Sequence, residues 1–299
     1  MRNRNNLTLR DLVVVASLCG ILAIFAFVSA TASGGWFSGS RRAVCMSNLS
    51  SINKGLILYR AANDDKYPWL GEKITGWDET KVGTNRNVDP FGKREDPNNP
   101  KPRSVTALMF MMVRAGQAAG IFRCPEDANA RVDDATKADD DDRDVKEGEY
   151  YWDFSKPQNV SYSYQAPRYV NDKTFAQGLD SSETEVVVVA DMTPRYGGKK
   201  KWTPVALTDE TPMADVQKQN SHNHGGEVTN VLYVAGNVKS QKRPDVGVSK
   251  DNIFTAFGED FKDRRSSTST KLSDHKKIKD TFLIGPVGRY EPGDANSGS

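Results

Sequence analysis

Residues 12 to 40 contain no charged side chain, and the run LVVVASLCGILAIFAFV at 12–28 is apolar apart from Ser17, Cys19 and Gly20. At about 1.5 Å per residue, the roughly 20 residues from 12 to 32 reach across a hydrocarbon core of about 30 Å. The expectation is a membrane-spanning helix over 12–32 behind a basic leader at 1–11. Arg2, Arg4 and Arg10 precede the run while Arg41 and Arg42 follow it, a bias that favours a cytoplasmic N-terminus. The alternative is an export signal, because Ala30-Thr31-Ala32 supplies a small-x-small cleavage pattern before Ser33. Against it, the apolar run exceeds the roughly 7 to 15 residues of a signal core. Leu18 stands before Cys19 where a lipoprotein signal needs a small residue. Residues 33–41, rich in Gly and Ser, read as a linker that loosens or ends the helix.

Beyond the linker the chain is wet. The 299 residues carry 37% hydrophobic and 27% charged side chains, enough for one or two domains with a core. The mean hydropathy of −0.62 includes the apolar start, so the remainder has a modest core and long loops. With 41 basic against 39 acidic residues, no field of one sign draws in a polyanion.

Asp11, just before the apolar run, has two readings. It is an interfacial helix cap, or it has a task of its own. Asn6, Leu7, Thr8, Leu9, Arg10 and Asp11 in that order, followed by an apolar helix, resemble the prepilin-type N-terminus of bacterial type IV pilins and secretion pseudopilins. The family pattern is Gly, then Phe-Thr-Leu-Ile/Val-Glu. Here Asn6 replaces the Gly, Leu7 the aromatic residue, Arg10 an apolar residue and Asp11 the Glu. The resemblance implies cleavage by a prepilin peptidase between Asn6 and Leu7, methylation of the new N-terminus, and an assembly contact from Asp11 to a neighbouring subunit's amine.

Residues 41–68 read as an amphipathic helix. Cys45, Leu49, Ile52, Leu56 and Tyr59 fall 4, 3, 4 and 3 residues apart on one face, and Asn63, Asp64, Asp65 and Pro68 end it. The simplest role of this stripe is to pack against a sheet. Cys45-x-x-Asn48-Leu49-x-x-Ile52, followed by a Tyr and by an Asn-Asp-x-x-Tyr-Pro ending, resembles one branch of the same pilin-like proteins. That branch also has a Cys-Pro step, here Cys124-Pro125, and a C-terminal His-x9-Asp-Gly signature. In this chain ten residues separate His224 from Ala235-Gly236, and the Asp is absent. If the domain is exported, Cys45 and Cys124 are natural disulfide partners, with two unpaired thiols as the alternative.

Residues 70–103 look like loop, 104–119 like a second helix, and 126–149 like a solvated acidic loop. Asp140, Asp142 and Asp144 alternate there, but Val145 and Tyr151 stand where a calcium loop needs Gly and Glu. NVSYSYQAP and TEVVVVADM, the latter containing Asp191, read as strands, and VTNVLYVAGNVKSQ as a hairpin. His222 and His224 with Asp191 or Glu227 are metal candidates, yet two His separated by one residue do not make a zinc site, and no metal or cofactor is assigned. The tail from 246 reads as a polar extension.

Catalytic signatures are missing: there is no Gly-x-Ser-x-Gly elbow, no phosphate loop and no Gly-x-Gly-x-x-Gly. Ser-x-x-Lys, at Ser51/Lys54 and Ser273/Lys276, is as frequent as composition alone predicts. Lys199-Lys200-Lys201-Trp202 is one short basic cluster in a near-neutral chain, so no nucleic-acid partner is expected.

Together the residues and the resemblance imply an α+β protein: a transmembrane helix at 12–32 in the bacterial inner membrane, then an extracytoplasmic pilin-like domain at 42–245 with a helix on an antiparallel sheet. It would be a non-catalytic subunit of a secretion or pilus-like assembly, its partners other pilin-like subunits and a prepilin peptidase. A membrane-tethered binding module that never enters a filament is the second expectation.

Overall fold

The computed structural model describes residues 35–68, 82, 86, 104–137, 148–166, 168–171, 174–177, 183–197, 202–256 and 281–286. Asn6, Leu7, Asp11 and the 12–32 run lie outside the described residues, as do residues 138–147 of the acidic loop. Among the described residues no helix is long and apolar enough to cross a membrane. The chain divides into two compact units, 1–43 and 44–299. In the first, the described residues are helical.

Helix α1, Gly35–Ala61, starts within the stretch expected to be a linker. Gly35 and Gly39 weaken a helix by about 1 kcal/mol each relative to Ala, but adding residues to a helix already nucleated by the following turns is favourable. No atom lies within 4 Å of the place where a Cβ on Gly39 would stand, so no packing there requires a different backbone. In the second unit Cys45, Leu49, Ile52 and Leu56 are at most 1% exposed, on the face that the 4, 3, 4 spacing sets, and Tyr59 ends the stripe half-buried. The helix stops where its sequence says. Asn63 Nδ2 donates to the Tyr59 carbonyl at 2.7 Å, Asp64 and Asp65 take positive φ, and Arg60 pairs with Asp65. Arg60 also lies over the Tyr67 ring, whose hydroxyl donates to the Val234 carbonyl at 3.3 Å, tying the helix end to the sheet region.

Helix α2, Val105–Arg114, is shorter than the expected 104–119. Ser104 caps it by accepting from Thr106 N at 3.1 Å, and the Thr106 hydroxyl donates to Asp153 at 2.7 Å. Gly116, at φ +96°, ends it, since a left-handed residue cannot continue the helical ladder. Arg114 then holds the Tyr150 and Tyr151 carbonyls and stacks 3.6 Å from the Trp152 ring centroid. A 3-10 turn at Ala119–Phe122 leads to Cys124.

Strands β1 (Tyr162–Gln165), β4 (Val187–Asp191), β5 (Thr229–Tyr233), β6 (Val238–Gln241) and β7 (Leu283–Ile284) form one antiparallel sheet in the order β6-β5-β4-β1-β7. Strands β2 (Arg168–Asn171) and β3 (Thr174–Gln177) pair separately. The fold class is α+β. The larger core gathers Leu49, Ile52, Leu108, Phe110, Phe154 and Tyr162, while Val187, Ala190, Val231, Ile253, Phe254 and Leu283 form a smaller one. Strand β4 contributes to both, which is why VVVAD is buried throughout rather than alternating.

Beyond 245, in the stretch expected to be a polar extension, some of the described residues belong to the core and the sheet. Residues 251–256 are buried, and β7 pairs with β1 through Tyr164↔Ile284 and Gln165↔Leu283. A two-residue strand carries no periodicity, so the sheet edge supplied by Phe282, Leu283 and Ile284 cannot be read against its polar surroundings.

Candidate functional site

Asp191 is the last residue of β4, opposite Tyr162 on β1, and Asn230 lies on β5, the strand that pairs with β4 on its other side. The Asp191 carboxylate therefore sits at one end of the central strands, wholly buried, and accepts the Asn230 backbone N–H at 2.6 Å. His224 is delivered to it by a self-locked loop. The Ser221 side chain caps the 3-10 turn His222–His224, and Gly225 and Gly226 close it at φ +64° and +81°. Asn220 Nδ2 bridges the Gly226 and Lys242 carbonyls at 2.9 and 2.8 Å. Asn223 Nδ2 donates to the Ser161 carbonyl at 2.7 Å and so anchors the turn to the start of β1.

Gly226 is required by geometry. A Cβ there would stand 2.7 Å from the Gln217 carbonyl oxygen, on a backbone conformation that L side chains avoid. Gly226→Ala is expected to lower the free energy of unfolding by about 1–3 kcal/mol. A urea titration in which the variant keeps the wild-type midpoint would contradict this placement of the turn.

The His224 side chain is fully buried with a carboxylate at each nitrogen. Nε2 lies 3.0 Å from Asp191 Oδ2, and Nδ1 makes a short contact with Glu126, whose side chain is 11% exposed. Burial alone pushes the imidazole pKa down. The hydrogen bond and charge of Asp191, then those of Glu126, outweigh burial and hold it above the ordinary 6.5. An imidazolium donates to both carboxylates at once, which a neutral ring cannot do. Asn230 Nδ2 is placed 2.8 Å from Nε2 while Asn230 Oδ1 is buried without a partner among the described residues, so turning this amide over lets the oxygen accept from the imidazolium.

Cys45 and Cys124 are disulfide-bonded, with Cα atoms 5.4 Å apart across a separation of 79 residues. Both sulfurs and a His224 ring nitrogen lie within 4.8 Å of one another. Asn48, one turn beyond Cys45 on α1, donates to the Arg123 carbonyl at 2.8 Å and to the Tyr162 hydroxyl at 3.2 Å. Burial, then the Asp191 charge, drive the Tyr162 pKa well up, so the phenol stays neutral. The site thus joins α1, the 123–126 segment, β1, β4 and the 221–226 turn. It can hold a proton between two carboxylates and clamp these segments together.

Of the residues singled out in sequence, Cys45, Asn48, Cys124, His224 and Asp191 converge here. Glu126 completes the site and is hidden in sequence by its place in an acidic, loop-like stretch. Its only signal is that it lies two residues after Cys124. Glu227 meets this turn through its backbone N–H, which donates to the His224 carbonyl at 3.2 Å. His222 instead lines a half-open cavity of about 650 Å³ with Trp202, Val205, Ala206, Asp215 and Lys218. Burial lowers the His222 pKa, and Trp202 Nε1 is buried with no hydrogen-bond partner among the described residues.

Where the resemblance has Asp-Gly, Ala235 and Gly236 form the β5–β6 turn. Gly236 has φ +86°, and its carbonyl accepts from Asn53 Nδ2 at 3.3 Å. Asn6, Leu7 and Asp11 belong to no described part of the site. Comparison of the chain with family models, with curated proteins and with solved structures finds no match in any of the three.

Proposed function

We propose that the chain is a pilin-like or pseudopilin-type structural subunit: anchored in the bacterial inner membrane by residues 12–32, non-catalytic, with its α+β domain extracytoplasmic. The observation that carries this reading is helix α1. It begins three residues after the expected membrane span of 12–32 ends, and its buried stripe of Cys45, Leu49, Ile52 and Leu56 seats it in the main core of the second unit. The disulfide supports an oxidising compartment, since cytosolic thiols are kept reduced. Asp11 would carry the assembly contact, and other pilin-like subunits of a secretion or pilus-like machine would be the partners.

Asp11→Ala tests this reading. Cross-linking in the native envelope is expected to give a ladder of multimers for the wild type and a loss of at least about tenfold for the variant, as removing one partner of a low-dielectric ion pair costs several kcal/mol. An unchanged ladder would remove the assembly role. The cavity at Trp202 favours a second reading, a membrane-tethered binding module, because its size falls within the roughly 300–1,000 Å³ of small-ligand sites. In that case no multimers form with either protein.

A further inference from the structure

Around the disulfide stand more metal-binding groups than a structural crosslink needs. Two sulfurs and an imidazole nitrogen lie within 4.8 Å of one another, all buried. Each His224 nitrogen also faces a carboxylate, Glu126 on one side and Asp191 on the other. Asp191 adds a second observation: its Oδ1 is buried with no hydrogen-bond partner among the described residues, at a residue that is 0% exposed.

We propose that Cys45, Cys124 and His224, once the disulfide is reduced, form a tetrahedral site for one zinc-class divalent cation. Two thiolates and an imidazole are the donor set that zinc prefers, and once the S–S bond is broken the sulfurs must separate to about 3.8 Å for both to bind one tetrahedral cation at about 2.3 Å. The fourth ligand would come from a carboxylate beside His224. The cation takes one ring nitrogen, so the carboxylate that faced this nitrogen is displaced into the coordination sphere. The other carboxylate keeps its hydrogen bond and orients the ring, as outer carboxylates do for metal-bound histidines. Four anionic groups around a dication leave the same net charge as a four-cysteine zinc site.

The chemistry balances simply. A water-soluble phosphine reduces the disulfide to two thiols and becomes its oxide, taking oxygen from water. Zinc then displaces both thiol protons, and the imidazolium proton where one is held. Binding therefore strengthens as pH rises.

The experiment uses the full chain in detergent, oxidised and phosphine-reduced, with Zn²⁺ for stoichiometry and Co²⁺ as a spectroscopic probe. The expected result is one Zn²⁺ retained per reduced chain after gel filtration and none per oxidised chain. Co²⁺ should give an intense thiolate-to-metal charge-transfer band together with the strong visible bands of a tetrahedral site. Glu126→Gln and Asp191→Asn should each weaken Zn²⁺ binding by about 10- to 100-fold, and the double variant Cys45→Ala/Cys124→Ala should abolish the charge-transfer band. Circular dichroism of the reduced chain with and without Zn²⁺ keeps the test decisive if reduction loosens the fold, because Zn²⁺ must then restore the native signal. No retained zinc, retention without the thiolate band, equal retention by the double-alanine variant, or a reduced chain that zinc does not refold would each overturn the proposal. None of these outcomes bears on filament assembly.

Discussion

Removing the crosslink between Cys45 and Cys124 is expected to lower the free energy of unfolding by about 4.5 kcal/mol, the chain-entropy value for closing a loop of this length. Alanine at both positions is the cleaner substitution. Both cysteines are 0% exposed in the main core, and a serine hydroxyl placed there would add an unsatisfied polar group to the effect. The loop contains α2 and links α1 to the 123–126 segment, so its loss also frees Glu126 relative to His224. In urea the double-alanine variant should unfold at a much lower midpoint, with a slope equal to or greater than that of the wild type. An oxidised wild type and a double-alanine variant with coincident transitions would show that the crosslink does not restrain the unfolded chain.

The second large effect is electrostatic. Asp191→Ala removes a wholly buried carboxylate from His224 and from the Asn230 backbone N–H, and should destabilise the protein by about 3–5 kcal/mol, the usual penalty for stranding one partner of a buried pair. Its pH dependence has a definite sign. The folded His224 pKa lies above its ordinary 6.5, so the folded state holds this proton more tightly than the unfolded chain does. Each tenfold gain in proton affinity on folding contributes about 1.4 kcal/mol. That stability is fully present below pH 6.5 and is lost as pH rises through the raised folded value. Oxidised wild type should therefore have a higher urea midpoint at pH 6 than above the folded value, where the ring is neutral. Asp191→Asn and Glu126→Gln should each flatten that slope. Tyr162, whose hydroxyl feels the Asp191 charge, does not mimic it, because burial drives its pKa well above the ordinary value. A midpoint that rises with pH over this range would contradict an ionised His224.

The helical stripe is legible in sequence because the spacing of Cys45, Leu49, Ile52 and Leu56 matches a helix and nothing else. Strands β1, β4, β5 and β6 are legible through β-branched and aromatic runs bounded by turn residues. Two features are not. Strand β7 is too short for a period, and the start of α1 lies in Gly-rich sequence whose local preference is overridden by the helix that follows. The site shows the same division. Asp191 can be named as a partner for a histidine because it ends an apolar strand beside a His-containing loop. His222 and Glu227 look equally suitable in sequence, and only the 3-10 turn, which puts His224 inside and His222 against the Trp202 cavity, separates them. Glu126 escapes because an acidic loop offers many carboxylates and no local pattern marks the buried one.

The subunit reading stands or falls on the intact mass of the protein recovered from its native cell envelope, with the N-terminus read by peptide fragmentation. The expected chain begins at Leu7 with a methylated amine and retains Asp11 and the apolar run. A chain beginning at Ser33, without the anchor, would refute the reading and leave a secreted domain. A chain still beginning at or near Met1 would rule out prepilin processing and give the tethered binding module the stronger claim.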